Sequence, residues 1–122
     1  LKVFFEIYSK PLMTAGKGTL IEDLVRRAGG ANIGSSAGVG YPEFSQEVLI
    51  TEDPDVYIAV AGAQAEPGDI AKRPAYNQLT AVKEGRVFVI EDNLVVRSGP
   101  RALQGLRQIA AFLHPDAFEG SE

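Results

Sequence analysis

The chain is 122 residues long and 45% apolar, with 16 acidic side chains against 12 basic ones and a formal net charge of −4. That length suits one domain with one core, and the acidic balance leaves no basic stripe to neutralise nucleic-acid phosphates or to hold an anionic membrane. The absence of cysteine excludes disulfides, thiolate metal sites and a cysteine nucleophile, and no apolar run approaches the ~18 residues of a spanning helix.

The first element is a strand. Val3-Phe4-Phe5-Glu6-Ile7-Tyr8 is apolar and aromatic, without a turn residue, and it begins almost at the first residue. A natural protein rarely begins inside its core, so the chain reads as part of a longer parent whose export signal lies elsewhere. Thr19-Leu20-Ile21-Glu22 fits a capping box, and Leu20, Ile21, Leu24, Val25 and Ala28 then form one helical stripe that Gly29 and Gly30 close. Residues 29 to 40, rich in Gly, Ser and Ala, read as a loop. Ser45 is a candidate N-cap for a short helix to about Thr51, and Asp53-Pro54-Asp55 reads as a turn. Val56 to Val60 is a second buried strand. Pro74 suits the first turn of a helix through Leu79 and Val82, ended by Gly85. Arg86 to Ile90 is a third strand. Ser98-Gly99-Pro100 begins a last helix whose core stripe is Leu103, Leu106, Ile109, Ala110 and Leu113.

Strands alternating with helices predict an α/β fold: a Rossmann-like, mainly parallel sheet with helices on both faces and the Val56 and Val87 strands as central neighbours. Unbroken Val/Ile/Phe runs agree with strands covered on both sides. In such sheets ligands sit beyond the carboxyl ends of the strands. Here that selects three connections: Tyr8 to Gly18, Gly62 to Arg73, and Glu91 to Gly99.

Some local patterns invite chemistry. Gly16-Lys17-Gly18-Thr19 before a helix resembles a phosphate loop, but the full motif needs a glycine where Pro11 stands and a Ser/Thr directly after the lysine. A tight turn into the helix is the better reading. The alternative it would support is a nucleotide- or phosphate-handling enzyme domain. His114, the sole histidine, cannot by itself make a histidine metal site or a catalytic relay, and reads as a helix-end residue beside the negative end of a dipole. Glu47, in the first turn of the helix capped by Ser45, has a plain role worth about 0.3–1 kcal/mol. Arg97 and Arg101 flank a helix start, where cations oppose the dipole, so a ligand or partner is the better reason for them. Tyr41, before Pro42 in a loop, is placed either to anchor a ligand or to cover the core.

Over nearly its whole length the chain resembles the C-terminal lobe of the class III, helical-backbone (TroA-like) periplasmic binding proteins, which serve ABC importers of ferric siderophores, cobalamin and haem. The pieces that carry the resemblance are Val3-Phe4-Phe5-Glu6, Pro11 to Thr19, Ala28-Gly29-Gly30-Ala31-Asn32-Ile33 and Tyr41-Pro42-Glu43-Phe44-Ser45-Gln46-Glu47. They continue with Pro54-Asp55-Val56, Ala81 to Val87, Gly99-Pro100-Arg101 and His114-Pro115. The resemblance implies two such lobes bridged by a rigid helix, with residues 1 to 122 forming the second lobe and an N-terminal lobe of the same parent as its partner. It implies a binding module and not an enzyme, with no catalytic residue, resident cofactor or metal ligand of its own.

The same resemblance implies roles for particular residues. Glu47 of Ser45-Gln46-Glu47 would dock into an arginine pocket of the ABC permease, a contact a surface carboxylate makes well. Tyr8, Tyr41, Asn93 and Arg97 would face the ligand. Asn93 stands where cobalamin binders tend to have Asp, so a ferric siderophore comes first among the chelated metal complexes, with cobamide and haem next. The expected location is periplasmic or extracellular, as a lipoprotein or a free protein. An isolated lobe would expose surface that its partners cover, which predicts self-association.

Overall fold

The computed structural model describes residues 1–9, 12–60, 72–73, 76–90 and 102–114. Among these, five strands form one mixed, mostly parallel sheet: β1 (Lys2–Ser9), β2 (Leu12–Thr14), β3 (Ala31–Asn32), β4 (Val56–Val60) and β5 (Val87–Ile90). Their order is β2-β1-β4-β5, with β3 also paired to β1. β1, β4 and β5 run parallel, with Val3 opposite Val56 and Tyr57 opposite Val87. β2 returns antiparallel along the carboxyl half of β1, with Ser9 opposite Leu12 and a register shift between Glu6 and Tyr8. β3 lies parallel beside Lys2 and Val3.

The Val56 and Val87 strands are thus neighbours, as expected, but the interior positions of this order belong to β1 and β4, with β5 at its end. Two stretches expected as loops contain strands. Leu12-Met13-Thr14 is β2, and Ala31-Asn32 is β3, followed by a 3-10 turn at Ile33–Ser36. The helix expected after Pro74 is divided into a 3-10 turn at Tyr76–Gln78 and a short helix at Thr80–Lys83.

The helices are α1 (Leu20–Arg27), α2 (Gln46–Glu52), α3 (Thr80–Lys83) and α4 (Ala102–Leu113). α1 starts where its cap dictates: Thr19 Oγ1 accepts from the Glu22 amide at 3.1 Å and donates to the Gly16 carbonyl at 2.9 Å. The capping box is half made, because the Glu22 carboxylate accepts from Ser35 Oγ at 2.9 Å. Acidic Glu22 and Asp23 at the start and basic Arg26 and Arg27 at the end complement the helix dipole, and Asp23 pairs with both arginines.

Two hydrophobic layers sandwich the sheet, because residues alternate along each strand. Val3 and Phe5 of β1, with Ile58 and Val60 of β4, pack against Ile21, Leu24 and Val25 of α1 and Ile109 and Leu113 of α4. Phe4, Tyr57 and Ala59 face the other way, onto Phe44, Leu49 of α2, Tyr76, Leu79 and Ala81 of α3. Gly30 lets the first layer close: a Cβ there would lie 2.8 Å from Val3 Cγ2 and 3.1 Å from Leu113 Cδ1. His114 completes the joint, with its Nε2 2.9 Å from the Ala28 carbonyl at the end of α1. It stands at a helix end, as expected, but the carbonyl it meets belongs to a different helix.

The amino end of β1 is tied down by short polar contacts. The Lys2 amide donates to Asp55 Oδ2 and the Asp55 amide to the Lys2 carbonyl, both at 2.8 Å. Asp53 takes the left-handed conformation, with φ 51°, at the end of α2. Its carboxylate accepts from both the amide and the hydroxyl of Thr80 at 2.6 Å. It therefore caps α3 from a distance, and the Thr80 hydroxyl first, then the Thr80 amide, hold its carboxyl below the usual range.

Candidate functional site

The parallel strands end at Ser9, Val60 and Ile90, and this edge is where an open α/β sheet offers a ligand site. Residues 61–71 and 91–101, which leave β4 and β5 there, lie outside the described residues, and Asn93 and Arg97 lie with them. Tyr8 and Tyr41 are described. Tyr8, near the end of β1, is 51% exposed, and Tyr41 is 39% exposed.

Backbone pairing fixes where each of the two tyrosines stands. Tyr8 stands opposite Met13 of β2, and Met13 forms an isolated bridge with Glu43. The Thr14 amide donates to the Pro42 carbonyl at 3.1 Å and the Phe44 amide to the Leu12 carbonyl at 2.8 Å. Residues 42–44 therefore extend the β2 edge as a further ribbon, and Tyr41 enters it. The glycine-rich stretch before Tyr41 serves close backbone packing. The Gly16 amide donates to the Gly40 carbonyl at 2.7 Å and the Lys17 amide to Gly38 at 2.8 Å. A Cβ on Gly16 would lie 2.2 Å from the Gly38 oxygen. The turn reading of Gly16 to Thr19 therefore holds, with Lys17 exposed beside it.

Glu47 is exposed on the first turn of α2, where Ser45 Oγ faces the Val48 amide at 3.5 Å. Among the described residues no ion pair involves its carboxylate. Val48 beside it is also exposed, at 43%. Glu47 and Val48 thus place a carboxylate and an apolar side chain side by side on the surface of α2.

One constellation went unread in the sequence. Glu6 is fully buried. Its Oε1 accepts from the Tyr57 hydroxyl at 2.5 Å and from Arg73 Nη1, while Oε2 accepts from Arg73 Nη2 at 3.1 Å. The guanidinium also lies over the Tyr76 ring, 5.4 Å from its centre, and the Tyr57 and Tyr76 rings are 5.9 Å apart. Burial first, and the Glu6 charge second, push the Tyr57 phenol well above its ordinary value. Hydrogen bonding to Glu6 outweighs burial at Arg73 and makes its proton harder still to remove. A signal was present: a carboxylate inside a strand covered on both faces must find a partner. That partner, however, is 67 residues away.

A family model described as periplasmic binding protein matches residues 1–94. An uncharacterized ABC transporter substrate-binding lipoprotein of Bacillus subtilis is 29% identical over 118 residues, which is 96% of this chain and 37% of that protein. A vitamin B12-binding protein of Pectobacterium atrosepticum is 33% identical over 115 residues, covering 93% of this chain and 38% of its own. Among solved structures, Helicobacter pylori CeuE in a complex with nickel and histidine superposes with a TM-score of 0.88 at 24% identity, covering 99% of this chain and 39% of that one. The chain therefore spans well under half the length of these relatives.

Proposed function

Because the chain belongs to the periplasmic binding protein family, we propose that residues 1 to 122 form the C-terminal, ligand-facing lobe of an ABC importer's substrate-binding protein. The family consists of transport proteins and not enzymes, so the phosphate-handling alternative falls. The match over residues 1–94 carries this reading. The exposure of Tyr8, near the carboxyl end of β1, agrees with it. The ligand is a chelated metal complex held between this lobe and an N-terminal one, outside the cytoplasmic membrane. Tyr8 and Tyr41 supply aromatic area to its frame, and Asn93 and Arg97 supply polar contacts. Asn93 favours a ferric siderophore, while the vitamin B12-binding relative supports a cobamide. Glu47 docks on the permease.

The test is calorimetric titration of the full-length protein with a ferric hydroxamate chelate, cyanocobalamin and haemin. Binding of one of them tighter than about 10 µM is expected. No binding of any would sink the reading. For docking, Glu47→Ala is expected to leave the affinity unchanged while lowering uptake in cells. Full uptake by that variant removes the role of Glu47.

A further inference from the structure

We propose that Arg73 is a ligand contact at this edge, offering N–H groups to an oxygen acceptor on the periphery of the chelate, and that Glu6 is the residue that positions it; this rests on the binding role proposed above. Up β1, Phe4 is fully buried in the core, Glu6 is fully buried, and Tyr8 is 51% exposed. The Arg73 side chain engages the middle position of this series and is itself 20% exposed. It therefore stands at the transition from core to ligand edge, at the end of one of the three connections that the sheet topology selects.

The energetics also favour a positioning role. Removing two charges from water costs several kcal/mol per ion, and a well-packed apolar pair is often as stable. Stability alone is thus a weak reason for an ion pair here. What the arrangement provides is a fixed guanidinium plane: two Nη groups are held by one carboxylate, one face lies on Tyr76, and Glu6 is itself fixed by the Tyr57 hydroxyl. An arginine so held loses less entropy on forming a further hydrogen bond. Because Glu6 neutralises it, Arg73 acts through directed N–H donation and not through a net positive field. The acceptors it suits are carboxylate, hydroxamate or carboxamide oxygens at the rim of a chelate.

The experiment uses the full-length protein and the same three probes. Arg73→Met is expected to weaken binding of the recognised probe about tenfold, the loss of a hydrogen bond of roughly 1.4 kcal/mol. Glu6→Gln is expected to weaken it by a similar factor, and the double variant no more than Arg73→Met alone, because Glu6 acts through Arg73. Arg73→Lys keeps a cation for Glu6 but loses the planar fork. It serves as the second variant should Arg73→Met fold poorly, with a several-fold loss expected at an unchanged melting temperature. Which probe is affected separates hydroxamate, carboxamide and propionate acceptors. Wild-type binding matched by folded Arg73 variants overturns the inference and leaves the functional reading intact, as does a double variant whose losses add. A wild-type protein that binds none of the probes overturns both.

Discussion

At the amino end of β1, the polar groups of Lys2, Asp53, Asp55 and Thr80 satisfy one another within the chain, and the Lys2 ammonium reaches the Glu52 carbonyl. At the carboxyl end, by contrast, Tyr8 projects into solvent, and the buried carboxylate of Glu6 grips an arginine that keeps 20% of its side chain exposed. The same strand thus closes one end of the sheet and leaves side chains accessible at the other. Polar residues at the amino end are satisfied within the fold, whereas those at the carboxyl end combine a buried anchor with side chains that reach solvent.

The sharpest test of that contrast is Glu6→Ala. It strands the Arg73 guanidinium and the Tyr57 hydroxyl, with an expected loss of about 3–5 kcal/mol in urea unfolding. Replacing the pair together, as Glu6→Leu with Arg73→Met, is expected to recover most of it. If the double variant is as unstable as the single, the pair belongs with the closing contacts of the amino end. Next in size is Gly16→Ala, whose Cβ would meet the Gly38 oxygen at 2.2 Å. A cost of about 1–3 kcal/mol is expected, with the ribbon that carries Tyr41 displaced, as tyrosine chemical shifts would report.

Asp53→Ala breaks the remote cap of α3 and is expected to cost about 0.5–2 kcal/mol. Its sign with pH follows from the lowered carboxyl. The contribution is complete above the unfolded value of 3.8 and is lost as the pH falls through the lower folded value. The gap between wild type and Asp53→Ala should therefore be widest at pH 7 and narrow in acid, leaving the pH-independent cost of alanine at φ 51°, measured by unfolding at both. The smallest effects belong to the exposed tyrosines. Tyr8→Ala and Tyr41→Ala are expected to change stability by about 0.5 kcal/mol or less while weakening ligand binding in the full-length protein.

Legibility followed the range of the interactions. The apolar run Val56 to Val60 marked β4 to the residue, and Thr19 marked the start of α1, because both signals are local. β2 was read as loop because Leu12-Met13-Thr14 is too short to show a period, and its pairing with β1 and with residues 42–44 makes it a strand. Asp53 was read as a turn residue, which it is. Its second function, capping Thr80, depends on the α2–β4 and α3 segments meeting in space. Glu6 went unread, although it is the one charged residue in the Val3 to Tyr8 run, and nothing local points to Arg73 as its partner. Tyr41 and Glu47 were placed by resemblance, and their exposure is a property that periodicity cannot supply in a loop or a first turn.

β1 pairs over two very different chain distances. It meets β2 across residues 10–11, whereas its amino end meets Asp55, 53 residues along. Closing the longer loop costs more entropy, and hairpins form within microseconds. The difference in loop length predicts that the β1–β2 hairpin forms first. On that expectation β4 would add to a β1 that is already extended, and β5, which pairs with β4, would follow it. On that order, destabilising substitutions in β2 slow refolding, while those in β5 mainly hasten unfolding in stopped-flow measurements. The edge that carries Tyr8 would then be among the first parts of the sheet to take shape.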